Sequence, residues 1–195
     1  ANELRLPCVY VADSGGIFLP LQAGSFADEG MFGSMFYNMC NMSARGIKQY
    51  TLSTGGNTAG GAYIVYLACE SIMIDKLANA FLAGPPMVKS AIGEDVSHED
   101  LGGAYVHTKH SGGCVRNQEE GIARLRELIS FDPPQGFYTQ RRESKPPKFG
   151  LDDMMKSMPA DTYQPIDIKE FIKCLVDDSH FSEYKENYGD RKSVV

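Results

Sequence analysis

The segment IKQYTLSTGGNTAGGAYIVYLACE, residues 47–70, decides the fold class. Its first part, 47–53, predicts a strand, and its last part, 62–70, predicts a helix. Between them, residues 54–61 contain four glycines and predict a loop. A strand that passes through a glycine-rich loop directly into a helix is typical of folds in which helices cross over between parallel strands.

The same order of elements occurs upstream of this segment. Residues 6–12, LPCVYVA, form a continuous apolar run, as expected for a strand buried on both faces, and the run stops at DSGG, 13–16. A helix is predicted to follow and to end at Gly46. Apolar side chains at helical spacing define this helix: Met31, Phe32, Met35, Phe36, Met39 and Cys40.

Downstream, residues 71–75 and 80–84 predict two further strands. Three helix starts are predicted from their first residues: Pro85 with Pro86, Ser97 with Asp100, and Asn117. The last of these helices is expected to run through 129 and to turn one face towards the core: Ile122, Leu125 and Ile129. Together these elements predict an α/β fold.

The chain changes character after this last helix. Residues 131–150 are rich in proline and charge and poor in aliphatic side chains, which predicts a linker or an extended arm. A helix is then predicted over 167–178, with Asp167 at its start. Its narrow apolar stripe, Phe171, Ile172 and Leu175, needs a partner surface.

Composition excludes several classes of protein. The 195 residues are 43% hydrophobic, enough for one sizeable core. The net charge is -6 and the basic residues are scattered, which argues against a nucleic-acid partner. The longest apolar runs are far shorter than a membrane span, so a soluble protein without a membrane partner is expected. The cysteines lie far apart in apolar stretches and are expected to be buried free thiols: Cys8, Cys40, Cys69, Cys114 and Cys174.

Two glycine-rich loops are the candidate binding elements. DSGG also carries the nucleophile of chymotrypsin-like proteases, but a triad of that arrangement needs a histidine before the serine, and none precedes Ser14. The glycines of 13–16 and of TAGGA, 58–62, let a ligand approach the backbone, where free N–H groups attract negative charge. Such loops suit a phosphate or the oxyanion of an enolised thioester. They suit tight turns between packed elements equally well.

Four segments of the chain resemble the carboxyltransferase (β) subunit of biotin-dependent acyl-CoA carboxylases. They occur in the family order, and TAGGAY and FLAGPPMVK are similar to the methylcrotonyl branch rather than to the propionyl or acetyl branches. The four segments are 7–22, 53–63, 80–112 and 167–190. The resemblance implies a crotonase-type spiral of ββα units. It divides the chain into a partial N-terminal carboxyltransferase domain (1–130), a linker (131–150) and a segment (151–195) that leads to a C-terminal carboxyltransferase domain absent from this sequence.

The family's chemistry is the transfer of CO2 from carboxybiotin to an acyl-CoA, here 3-methylcrotonyl-CoA, a step of leucine catabolism. By resemblance, Gly60 and Gly61 form the oxyanion hole for the acyl-CoA. The expected substrate-binding residues are Gly15, Gly16, Thr58, Ala59, Ala62, Ala83, Gly84 and Pro85. Biotin is expected on a partner, the biotinylated α subunit, and no metal is expected in this chain. A homo-oligomer with a hexameric β core is implied, in the mitochondrial matrix of a eukaryote or the cytoplasm of a bacterium.

Some residues depart from the family or suggest other sites. Leu21 stands where methylcrotonyl enzymes usually have arginine, and GGN at 55–57 differs from their Gly-Ser-Cys. His107 and His110 are predicted to be a solvated pair in a strand or loop rather than metal ligands, and Lys156 to be a surface lysine rather than a biotin carrier. Two other functions stay open: a glutaconyl-CoA-type decarboxylase subunit, and a non-catalytic assembly component.

Overall fold

The computed structural model describes residues 1–25, 30–110, 113–131, 143–161, 163–185 and 188. These residues divide into two compact units. Unit 1 contains the described residues up to 131 together with Tyr188, and unit 2 contains those from 143 to 185.

Unit 1 is built on a five-stranded sheet in which every pairing of neighbouring strands is parallel. The strands are β1 (Cys8–Ser14), β2 (Gln49–Thr58), β3 (Glu70–Ile74), β4 (Asn79–Phe81) and β5 (Gly113–Val115). The long central strand, β2, pairs with β1 along one edge and with β3 and then β4 along the other, while β5 pairs with β3. The predicted α/β class with a parallel sheet is confirmed.

Helices follow the strands in the order expected for crossover connections. Two of the predicted caps are present: the Ser97 hydroxyl accepts from the Asp100 N–H at 3.0 Å, and Asn117 Oδ1 accepts from the Glu120 N–H at 2.9 Å. The helices of unit 1 are α1 (Phe32–Ala44), α2 (Gly60–Leu67), α3 (Pro85–Ile92), α4 (His98–Gly102), α5 (Ala104–His110) and α6 (Gln118–Phe131).

The core of unit 1 forms on both faces of β2. Leu52 packs against Gly121 of α6 on one face, while Thr51 on the other face donates to the Ile64 carbonyl of α2 at 3.3 Å. The buried apolar side chains of the core include Tyr50, Leu52, Val65, Ile72, Met73, Ile74, Leu125 and Leu128. A parallel strand covered by helices on both faces explains why β2 is buried along almost its whole length.

Buried polar side chains join the helices to the sheet. Gln49 is fully buried, and its Nε2 donates to the Met39 carbonyl and to Ser43 Oγ of α1, both at 2.9 Å. Its Oε1 accepts from the Tyr10 hydroxyl at 3.0 Å. Burial, with the neighbouring Cys8, raises the pKa of Tyr10 above its usual value, so this phenol remains a neutral donor. The hydrogen bonds offset the cost of burying the amide and fix α1 against β1 and β2.

Several predicted boundaries are wrong in the region of β2. The predicted loop 54–61 is mostly strand, because β4 pairs with residues 56–58 and continues the sheet there. The helix begins at Gly60 instead of 62 and ends at Leu67 instead of 70, and the strand predicted over 80–84 spans Asn79–Phe81. Pairing with a strand more than twenty residues away overrides the local preference of glycine for loops.

Three burial predictions are also wrong. β1 is not buried on both faces: Val9 is 40% and Val11 is 68% exposed, so one face of this edge strand is open. None of the cysteines is buried, and Cys40 and Cys69 are exposed. Ile122 is 50% exposed, because α6 packs through the row Gly121, Leu125 and Leu128 instead. The sequence identifies α6 correctly but not the direction in which its apolar face turns.

Unit 2 contains α7 (Leu151–Ser157), which the sequence did not predict, and α8 (Ile168–Lys173). Asp167 caps α8 as expected, but the helix ends at Lys173 instead of 178, because Val176 is extended and Asp178 is left-handed with φ 54°. None of the described residues from 143 to 185 is buried. Most of the predicted linker, 132–142, lies outside the described residues, and Phe131 belongs to α6.

Within the part of the chain that the structure describes, no helix is both long and apolar enough to cross a membrane.

Candidate functional site

A single residue, Ala59, forms the turn from β2 into α2. Its φ of 51° and ψ of −115° are rare for a residue with a side chain and cost about 1–3 kcal/mol, so this backbone persists only where neighbours hold it. Two hydrogen bonds do so: the Ala59 N–H donates to the Phe81 carbonyl at 3.1 Å, and the Ala59 carbonyl accepts from the Ala62 N–H at 3.1 Å. The chain therefore reverses sharply and enters α2 at Gly60.

The N–H groups of Gly60 and Gly61 are the donors of this candidate site. As the first two residues of α2, they precede the point at which helical hydrogen bonding begins. Neither N–H donates to an acceptor among the described residues. Because the helix dipole also places partial positive charge here, this end of α2 is suited to an anionic oxygen. The predicted position of both glycines at a strand-to-helix turn is confirmed, and their role in an oxyanion hole stays a prediction.

Close packing explains why both residues are glycine. A Cβ atom on Gly61 would lie 2.9 Å from both the Cβ and the carbonyl oxygen of Ser14 at the end of β1. A Cβ atom on Gly60 would lie 2.5 Å from Cε1 of Phe32 at the start of α1. The first turn of α2 is thus wedged between β1 and α1, and a side chain at either position displaces a neighbour.

The second predicted loop lies beside the first. Gly16 has a φ of 94°, which favours glycine, and a Cβ atom there would contact the Thr58 carbonyl at 3.4 Å and Ala59 Cβ at 3.9 Å. The Gly16 N–H donates to Ser14 Oγ at 3.4 Å. The structure therefore brings Gly16 together with Thr58 and Ala59, as the sequence predicted. It gives Ser14 no histidine partner among the described residues, consistent with a packing role for this serine.

The other predicted binding residues have different surroundings. Gly84 is the N-cap of α3, between Ala83 and Pro85. A Cβ atom on Gly84 would lie 3.3 Å from the ring of Phe81, the residue whose carbonyl accepts from the Ala59 N–H. Ala62 is only 6% exposed and its side chain belongs to the core cluster. Only the backbone of Ala62 is therefore placed towards the turn.

An open groove follows the first loop, and the sequence did not predict it. It encloses about 470 Å³ and is lined by Leu19, Pro20, Gln22 and Ala23 of a 3-10 turn. Leu21, in the same turn, is 67% exposed. No local pattern marks such a groove, because it forms from the shape of the turn rather than from its composition.

The histidine pair differs from its prediction. His107 and His110 lie on α5 and not in a strand or loop. His107 is half-buried rather than solvated: its Nε2 lies 2.7 Å from the Ala80 carbonyl, and its ring centroid is 4.8 Å from that of Tyr66. Among the described residues, no three His, Cys, Asp or Glu side chains are grouped so as to hold a metal ion.

The carboxyl transferase domain model matches the chain from residue 1 to residue 195. The chain belongs to the carboxyl transferase domain family. It is 41% identical to the mitochondrial methylcrotonoyl-CoA carboxylase beta chain of Arabidopsis thaliana over 199 residues, covering 97% of this chain and 34% of that protein. It is 40% identical to the biotin-dependent 3-methylcrotonyl-coenzyme A carboxylase beta1 subunit of Mycobacterium tuberculosis over 193 residues, covering 97% of this chain and 36% of the relative.

A solved structure shows the same fold. Transcarboxylase 12S, a hexamer crystallised with hydrolysed methylmalonyl-coenzyme A, superposes with a TM-score of 0.77 at 25% identity, over 96% of this chain and 37% of that one. The resemblance to carboxyltransferase β subunits and the crotonase-like fold are thereby confirmed. The carboxyl transferase chain described here spans about a third of the length of these relatives.

Proposed function

We propose that this chain supplies the acyl-CoA side of a carboxyltransferase, which moves CO2 from carboxybiotin to 3-methylcrotonyl-CoA in leucine catabolism. The observation that carries the proposal is the pair of N–H groups, Gly60 and Gly61, that have no acceptor among the described residues at the N-terminus of α2. The identity of 41% and 40% to methylcrotonyl-CoA carboxylase β chains supports the choice of substrate.

In this carboxyl transfer, the role of the Gly60 and Gly61 N–H groups is to stabilise an enolate. When the acidic carbon–hydrogen bond of the acyl-CoA breaks, negative charge spreads along the conjugated chain to the thioester oxygen. Hydrogen bonds from Gly60 and Gly61 to that oxygen are stronger in this charged state than in the ground state, which lowers the barrier. The turn at Ala59 holds both donors before the substrate arrives, so no reorganisation is needed during the reaction.

Carboxybiotin supplies the CO2 and, in the proposed enzyme, arrives on a biotinylated α subunit. Lys156 does not fit a carrier lysine: MMKSM lacks the flanking residues of a biotinyl motif, and Lys156 pairs with Asp153 at 3.3 Å on the exposed side of α7. This is consistent with delivery of biotin by a partner.

The departure from the family pattern at GGN, 55–57, has a structural explanation. Asn57 is fully buried in β2, and its Nδ2 donates to Ser53 Oγ at 2.7 Å and to the Gly55 carbonyl at 3.0 Å. Its side chain therefore braces the strand from within the core. Leu21 is exposed next to the groove, and is the departure that bears on substrate choice.

An activity assay tests the proposal. The purified β subunit that contains this chain, mixed with its biotinylated partner, ATP and labelled bicarbonate, is expected to fix label into 3-methylcrotonyl-CoA faster than into propionyl-CoA or acetyl-CoA. Omitting the biotinylated partner is expected to abolish fixation. Fixation without biotin contradicts the mechanism, and release of CO2 from glutaconyl-CoA in place of fixation favours the decarboxylase alternative.

We propose in addition that the β subunit forms a hexameric core, located in the mitochondrial matrix in a eukaryote or in the cytoplasm in a bacterium. The hexamer of transcarboxylase 12S and the unburied apolar side chains of unit 2 support assembly. Light scattering on the purified β subunit at micromolar concentration is expected to give the mass of a hexamer. A stable monomer at that concentration contradicts the proposed assembly.

A further inference from the structure

Each carbonyl of the three-residue strand β4 accepts a hydrogen bond from a donor outside the strand. Asn57 Nδ2 donates to the Asn79 carbonyl at 3.4 Å, and the Ala59 N–H donates to the Phe81 carbonyl at 3.1 Å. Both donors belong to β2 or to the turn that follows it. The carbonyl between them, that of Ala80, lies 2.7 Å from Nε2 of His107 on α5.

The direction of the Ala80 carbonyl explains why a side chain is needed there. Successive carbonyls of a strand point to opposite sides, so the Ala80 carbonyl faces away from β2. On that side, among the described residues, β4 has only an isolated bridge between Asn79 and Gly103. A buried carbonyl without a donor is costly, and His107 supplies the donor from its half-buried ring.

His107 also contacts the helix that carries the candidate donors. Its ring packs against that of Tyr66, with centroids 4.8 Å apart and planes inclined by 33°. Tyr66 lies in α2, within two turns of Gly60 and Gly61. One side chain thus contacts both β4, whose Phe81 carbonyl accepts from the Ala59 N–H, and α2, which begins directly after Ala59.

We infer that His107 is a positioning residue for the N–H groups of Gly60 and Gly61. Donation from Nε2 to the Ala80 carbonyl fixes β4, and the next carbonyl of β4 holds the Ala59 N–H and so the unusual backbone of the turn. Because the Ala80 carbonyl can only accept, the geometry requires a hydrogen on Nε2 of His107. The inference rests on the proposed function, because it concerns the same pair of donors.

The test compares two substitutions in the complete carboxylase. His107→Leu keeps a side chain of similar size but removes the donor, whereas His107→Gln keeps an N–H donor. For His107→Leu, kcat with 3-methylcrotonyl-CoA is expected to fall at least tenfold while KM changes by less than about twofold, because the misplaced donors act mainly on the enolate. His107→Gln is expected to restore most of the lost kcat.

A spectroscopic signal separates positioning from simple loss of folded protein. The infrared carbonyl band of bound 3-methylcrotonyl-CoA, carrying 13C in the thioester, is expected at lower frequency than in water for the wild type and for His107→Gln, but not for His107→Leu. The matched control is His98→Leu, since His98 stacks on Phe81 but is exposed and is not a donor to β4 in the described contacts. This control is expected to keep both the wild-type kcat and the shifted band.

The other possible results distinguish failure of the positioning role of His107 from failure of the proposed function. A shifted band or unchanged kcat in His107→Leu overturns the inference and leaves the proposed function intact. A wild-type enzyme that binds no acyl-CoA overturns the proposed function and the inference with it. If His107→Leu does not fold, Gly102→Ala takes its place, because a Cβ atom on Gly102 pushes against the Ala80 carbonyl. It must then reproduce the fall in kcat and the loss of the shift, or the inference fails.

Discussion

Replacing Gly61 with alanine is expected to lower kcat of the carboxyltransferase reaction by about 100-fold, comparable to the loss of one oxyanion-hole donor. Alanine favours helix more than glycine does, so α2 itself gains stability from the change. The penalty comes from the new Cβ atom, which would lie 2.9 Å from the Ser14 backbone oxygen and cannot be accommodated without moving β1 or α2. Either movement displaces the Gly61 N–H from the thioester oxygen.

Steady-state kinetics of the complete carboxylase, with acyl-CoA varied, measure this effect. Gly24→Ala is the matched control, since a Cβ atom there meets nothing within 4 Å, and its kcat is expected to equal that of the wild type. Gly60→Ala is expected to lose less than Gly61→Ala, because its obstacle is the far edge of the Phe32 ring, which can rotate away. Equal kcat for wild type and Gly61→Ala, in protein with wild-type structure, eliminates the proposed oxyanion hole.

Replacing Met73 with alanine is expected to destabilise unit 1 by about 2–5 kcal/mol. Met73 lies in β3, is 0% exposed, and packs in the core cluster between β2 and the helices. Its sulfur also lies 3.1 Å from the Tyr66 hydroxyl, so truncation removes a contact of α2 as well as leaving a cavity.

Hydrogen exchange of the backbone amides of β2 and β3 measures the loss without requiring the whole protein to unfold in one step. Exchange in Met73→Ala is expected to be at least about 30-fold faster, as a tenfold change corresponds to about 1.4 kcal/mol. Met87→Ala is the matched control: Met87 is 65% exposed on α3, and its removal is expected to change exchange in the sheet very little. Unchanged protection in Met73→Ala contradicts the assignment of this residue to the stabilising core.

Features of the fold that depend on nearby residues could be predicted from the sequence. Ser97 and Asn117 cap helices because their side chains reach N–H groups three residues away, an interaction that the local sequence contains in full. The apolar run before DSGG likewise identifies β1, although the strand spans Cys8–Ser14 instead of 6–12. The continuation of β2 to Thr58 could not be predicted, since it depends on pairing with β4.

The same distinction applies to the candidate site. The glycines of TAGGA indicate a turn at which the backbone can be approached, and the structure places Gly60 and Gly61 there. The sequence does not show which neighbours require glycine, because Ser14 and Phe32 are distant along the chain. It also misses the position of His107, whose partner Ala80 is 27 residues away and which the sequence predicts to be one of a solvated pair.

The absence of buried side chains among the described residues from 143 to 185 has a practical consequence for dissecting the protein. A fragment made of this segment alone would have no interior to protect its backbone from proteases, and its exposed apolar side chains, such as Leu151 and Tyr163, would promote aggregation. Short helices of the length of α7 and α8 are unstable in water by themselves. Expressed protein should therefore keep this segment joined to the rest of the subunit, and limited proteolysis of the isolated segment is expected to cut it readily.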